Sequence, residues 1–154
     1  MKKLFFILSI SLLLAGNADS QISKIIIGVD GFTCSLCAKG VEGQFKSLDF
    51  VKSVKTDIKN TEFTIYFRSM PKVDLSQIRD AVYDGGFSVR DIKIDAKGSI
   101  TGNSAQGYYF LTPDLKSISL KDVTGNFKDG EKVILQGKIN PDITFINVTS
   151  IKKL

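Results

Sequence analysis

The chain has 154 residues, 43% hydrophobic and 24% charged, which is room for one ordinary domain or two small ones and argues against wholesale disorder. Histidine and tryptophan are absent and only two cysteines occur, Cys34 and Cys37. That excludes imidazole-based acid–base chemistry, Ser-His-Asp and Cys-His nucleophiles, disulfide-rich scaffolds, and any structural zinc site of four cysteines or of two cysteines and two histidines within one chain. The net charge of +5 is too evenly spread to argue for a nucleic-acid partner, since Lys is interspersed with Asp and Glu along most of the chain.

The first segment reads as an address. Met1-Lys2-Lys3 is a short basic start, and Leu4 to Ala15 is an apolar run broken only by Ser9 and Ser11. That run is too short for a bilayer span, which needs roughly 20 apolar residues. Small residues follow at Ala15, Gly16, Ala18 and Ser20, so residues 1–20 have the layout of a secretory signal peptide. Cleavage after Ser20 would leave Gln21 first; cleavage after Ala18 also fits. No cysteine follows to accept a lipid. The expected product is secreted or periplasmic, has no membrane span after cleavage, and meets an oxidising compartment.

Residues 22–95 read as βαββαβ. Ser23–Asp30 places Ile25, Ile27 and Val29 on one face and Ile26 on the other, as a strand buried largely on both sides. Gly31 breaks it. Val41, Phe45 and Leu48 recur at helical spacing, which predicts a helix over Ser35–Leu48. Ser53–Lys59 and Glu62–Arg68 alternate at period two around the Asn60-Thr61 turn and read as a hairpin that Pro71 ends. Asp74, with Gln77 three residues on, opens a second helix as a capping box. Leu75, Ile78, Ala81 and Val82 form its buried stripe, and Gly85-Gly86 its left-handed stop. Phe87–Ile94 completes the order. This is the split βαβ, or ferredoxin-like, arrangement, with one antiparallel sheet under two helices.

Lys97–Asn103 is rich in Gly, Ser and Asn and reads as a junction to a second, all-β module over residues 98–154. Strand patterns recur at 99–101, Gln106–Thr112, Lys116–Asp122, Lys132–Ile139 and Thr144–Ile151. Turn signals fall at Pro113-Asp114, Lys128-Asp129-Gly130 and Asn140-Pro141-Asp142. Five short strands without a helix suggest a small OB-like barrel; a β-sandwich fragment is the alternative. Tyr108, Tyr109 and Phe110 offer a stacking surface, although simple alternation between core and solvent explains them better.

The chemistry centres on Cys34 and Cys37. Two thiols one turn apart lie where a strand gives way to a helix, and backbone N–H groups at a helix start favour the thiolate. A soft ion such as Cu(I) tolerates two sulfurs, whereas zinc would need further ligands. Residues Ile22 to Asp95 resemble a heavy-metal-associated domain, the family of copper chaperones, the metal-binding domains of copper-transporting ATPases and periplasmic mercury-binding proteins. Gly31, Thr33, Cys34 and Cys37 match its Gly-Met-Thr-Cys-x-x-Cys motif, with Phe32 replacing the methionine. Gly86-Phe87 resembles the aromatic feature the family carries near the end of its second helix. The resemblance implies that Cys34 and Cys37 bind a soft metal and hand it over. It covers about half of the chain.

The expectation is therefore a non-enzymatic, monomeric carrier of one Cu(I), with Hg(II), Zn(II) or Cd(II) as other cargoes. Its partner would be a transporter or chaperone with exposed cysteines. A thiol–disulfide redox protein or a mercury-binding periplasmic protein is the alternative. Ser35-Leu36 between the cysteines, the missing tryptophan and the strand order all weigh against a thioredoxin-like enzyme. Asp30 precedes the loop, could hydrogen-bond it and is not assigned to metal; Lys39 is expected to face solvent, and Met70 to lie too far along the hairpin to be a ligand.

Overall fold

The computed structural model describes residues 22–68, 72–112, 115 and 117–154. The signal-peptide expectation and those at Met70, Pro71 and Pro113-Asp114 lie outside them.

Alternation in the first segment produces β1 (Ile22–Asp30), with Ile25, Ile27 and Val29 buried, Ile26 half-buried and Lys24 exposed. β1 is therefore fully buried on one side only, because one face covers the core and the other faces a groove. α1 (Ser35–Lys46) buries Ala38, Val41 and Phe45. β2 (Val51–Asp57) and β3 (Glu62–Phe67) pair antiparallel, and Thr61 takes a positive φ of 51° in the turn between them. α2 (Leu75–Asp84) buries Leu75, Ile78, Ala81 and Val82. Asp74 caps it by accepting from the Ser76 N–H at 2.9 Å. Gln77 donates its side-chain amide to the other Asp74 oxygen at 3.3 Å, so the cap is not the reciprocal box expected. Gly86, at φ 81°, turns the chain out of the helix.

The next strand departs most from expectation. β4 (Ser88–Asn103) runs unbroken for 16 residues through the stretch that reads as a junction. One of its edges pairs with β1 as far as Ala96 and then with β5 (Gly107–Leu111) from Ser99. Its other edge pairs with β7 (Lys132–Ile139) over residues 92–99. Glycine there serves close approach rather than a linker. A Cβ on Gly98 would stand 2.5 Å from both the Leu111 carbonyl oxygen and the Phe110 ring, so only glycine lets β5 and its ring lie so near.

β6 (Ile118–Lys121) and β8 (Phe145–Lys153) complete a ring in the order β4-β5-β6-β8-β7 and back to β4. Among the described residues only the β6–β8 pairing of this ring is parallel. A closed ring is a five-stranded barrel of the OB type and not a sandwich fragment. The fold is thus α+β, a ferredoxin-like unit with β order β2-β3-β1-β4 whose last strand is also a barrel stave. Ile92, Ile94, Ala96 and Ile100 along β4 are all buried and belong to one core. That core holds Phe45 and Phe63 under the helices and Phe110, Leu135 and Ile146 inside the barrel. Tyr108 and Phe110 point inward and Tyr109 outward, so the aromatic run follows the pleat of β5.

Candidate metal centre

Asp30 ends β1, and Gly31, at φ 102°, reverses the chain as few other residues could. Phe32 then turns down into the core. It lies 5.6 Å from Phe63 and 6.0 Å, edge-on, from Phe87, while Phe63 packs at 5.3 Å on Phe45. The loop is therefore anchored from below by a file of four phenylalanine rings. Phe32 fills the place that methionine has in the motif, and Phe87, directed by the Gly86 turn, packs against it.

Above this anchor the backbone enters α1. Cys34 is the N-cap residue, with extended backbone at φ −125° and ψ 151°, and its Sγ accepts a hydrogen bond from the Cys37 N–H at 3.1 Å. A sulfur takes the capping role that serine or aspartate usually fills. The first turn of α1 holds no acidic residue to oppose negative charge on the sulfurs. Cys34 is exposed and Cys37 half-buried, with Cα atoms 5.4 Å apart, and the structure joins them as a disulfide. In that state neither sulfur can act as a thiolate ligand; reduction is required first. Leu36, between them, is 77% exposed, an apolar side chain standing in solvent at the mouth of the site.

Asp30, which could have bonded the loop, is engaged from β4 instead. Its carboxylate accepts from Arg90 at 2.9 Å. The same guanidinium donates to the Thr61 hydroxyl at 2.8 Å and the Asn60 carbonyl at 3.1 Å. Arg90 sits where the β1–β4 register slips, between Val89 opposite Val29 and Asp91 opposite Gly28. It thereby ties the end of β1, the β2–β3 turn and the start of β4 together beside the cysteine loop. Sequence alone gave no signal for this residue, since its partners lie 29 to 60 positions away. Lys39 is exposed. Among the described residues no group of three or more Cys, Asp or Glu side chains gathers into a ligand cluster.

A ferredoxin-like unit with a Cys-x-x-Cys pair at the head of its first helix defines the class. The chain belongs to the heavy-metal-associated domain family, whose pattern it matches over residues 26–88. The copper chaperone CopZ of Staphylococcus aureus is 31% identical over 68 residues, which is 44% of this chain and 98% of the relative. Among solved structures, a CopZ metallochaperone aligns at 31% identity and TM-score 0.41, over 44% of this chain and 98% of its own. The yeast copper transporter domain Ccc2a aligns at 24% identity and TM-score 0.40, over 44% of this chain and 90% of its own. The barrel lies beyond the family match.

Proposed function

We propose that this protein is a carrier of Cu(I), held as cargo by the thiolates of Cys34 and Cys37. The observation that carries the reading is the convergence of two sulfurs on the exposed head of α1, in a chain of this family that is similar to copper chaperones. The disulfide must first take up two electrons and two protons from a thiol reductant. Binding one Cu(I) then releases those two protons and leaves an anionic two-sulfur complex, facing the backbone N–H groups of the first turn. The exposed Cys34 lets a partner's thiolate attack the ion, form a shared complex and draw it away by ligand exchange. The carrier makes and breaks metal–sulfur bonds only and is no enzyme in this reading. Hg(II) suits the same pair, whereas Zn(II) and Cd(II) would recruit further ligands.

The test is an anaerobic Cu(I) titration of the reduced chain against a competing chelator. One ion per chain is expected, with affinity reduced at least a hundredfold in Cys34→Ser and in Cys37→Ser. Full affinity in either variant would remove the two-thiolate site.

The disulfide itself favours a second reading, thiol–disulfide exchange. It predicts that the reduced chain binds no copper against the chelator yet reduces the disulfide of a test substrate protein. Export through cleavage of residues 1–20 belongs to the same proposal. N-terminal sequencing of protein recovered from the cell envelope should begin at Gln21; an N-terminus at Met1 would refute it.

A further inference from the structure

A groove of about 300 Å³ crosses the sheet on the face that β1, β4 and β7 turn away from the helices. That is room for about ten water molecules, or a small organic ligand. Its lining is mainly apolar in area and includes Ile26, Gly137 and three lysines, Lys24, Lys93 and Lys138, one from each strand.

Two of the lysines are cross-strand neighbours. Lys93 is directly opposite Lys138, and Ile26 is directly opposite Lys93 on the other side. Like charges face to face on neighbouring strands destabilise a sheet. Two are partly compensated: Glu62 accepts from Lys93, and Asp91 pairs with Lys138 at 3.2 Å. Lys24, whose backbone pairs opposite Tyr66 in β3, has no side-chain hydrogen bond or ion pair among the described residues. Asp95, the one carboxylate of the lining, is engaged by the Gln136 amide at 3.0 Å. The groove thus combines an apolar floor with a cationic rim holding one uncommitted ammonium. It exists because the barrel adds β7 to the outer edge of β4; the ferredoxin-like unit alone would have no third wall.

We infer that this groove binds a small anionic amphiphile, a molecule with one carboxylate and a short apolar chain. The chain lies over Ile26 and the lysine stems, and the carboxylate meets Lys24 with Lys93 or Lys138. The site is separate from the cysteines and independent of their redox state.

Octanoate is the probe, titrated into the isotopically labelled full chain while backbone amide shifts are followed. Saturable shifts are expected at Lys24, Ile26, Lys93, Gly137 and Lys138, with the amides of Gly31 to Cys37 unmoved. Lys24→Glu, an exposed substitution that breaks no pairing, should weaken binding at least tenfold while leaving the spectrum of a folded protein. Octanol and acetate should each bind at least tenfold more weakly, since each lacks one half of the recognition. Absence of saturation, shifts scattered over the surface, or octanol binding as well as octanoate would overturn the proposal. A glutamate-rich peptide that binds the same residues more tightly than octanoate would also overturn it, in favour of an acidic protein partner.

Discussion

Phe32 sets the footing of the cysteine loop, and its ring contacts give substitutions there a predictable order. Phe32→Ala removes a buried ring between Phe63 and Phe87 and should cost about 3 kcal/mol of stability. Phe32→Met keeps most of the volume and should cost about 1 kcal/mol, with copper affinity unchanged because no ligand is altered. Urea denaturation of the two variants measures both. Two glycines separate in the same way. A Cβ at Gly28 meets the carboxylate of Asp91 at 2.6 Å and the guanidinium of Arg90 at 2.7 Å, both ends of flexible side chains. At Gly98 the obstacles are a backbone carbonyl and a buried ring. Gly98→Ala should therefore destabilise more than Gly28→Ala, and equal losses would show that β5 can shift away from β4. The cysteines, Phe32 and Phe87 were legible because the motif binds residue type to spacing. Arg90 was not, because its role depends on a register slip and on three partners that only folding brings near.

Elements are held by caps and side-chain clamps, several of them carboxylates. Asp74 caps α2, and Asp74→Ala should cost about 1 kcal/mol at neutral pH. Burial alone would raise the Asp74 pKa, but the bonds from Gln77 and Ser76 outweigh it and leave the group below its ordinary value. On α1, Glu42 is also held low, first by the bond from Lys46 and then by the Thr56 hydroxyl at 2.7 Å, which fastens the helix to β2. Carboxyls with lowered folded-state pKa values give stability that is complete above their ordinary values, near pH 4, and is lost as pH falls through the lowered ones. Thermal midpoints should stay level from pH 7 to about pH 5 and drop below about pH 4. The gap between the wild type and Asp74→Ala should narrow over the same fall, and a constant gap would show that the carboxylate charge plays no part in the cap. Helix and strand positions followed from periodicity here, with ends displaced by two residues where β2 starts at Val51 and α1 stops at Lys46.

At the scale of the whole molecule β4 is the decisive element. Because it is the last strand of the ferredoxin-like unit and also a stave of the barrel, the two regions share one core. We expect them to unfold together. Ile100→Ala, deep in the barrel end of β4, should lower the denaturation midpoint by the same amount whether read at tyrosines of the barrel or by hydrogen exchange of α1 amides. Two separated transitions would restore the division at residues 95–98 into independent domains. The barrel also covers the outer edge of β4 with β7, closing a row of backbone groups that would otherwise be open to pairing with another chain.

Local chemistry determined a good deal of this protein from sequence alone. Period-two and helical spacing set the order of strands and helices. Asp74 and Gly86 marked the ends of α2, and the Cys34–Cys37 spacing after Gly31 placed two sulfurs at a helix head. Each of these is a short-range matter, in which neighbouring residues meet the same steric and hydrogen-bonding demands in any fold. Tertiary structure decided what depends on distant strands meeting. It made residues 97–103 a continuous strand instead of a linker, because β5 and β7 supply partners for both edges. It gave Asp30 to Arg90, and it assembled three lysines from β1, β4 and β7 around one groove. No local pattern encodes those meetings, since a Gly-rich segment is strand or linker according to whether another chain segment arrives to satisfy its backbone.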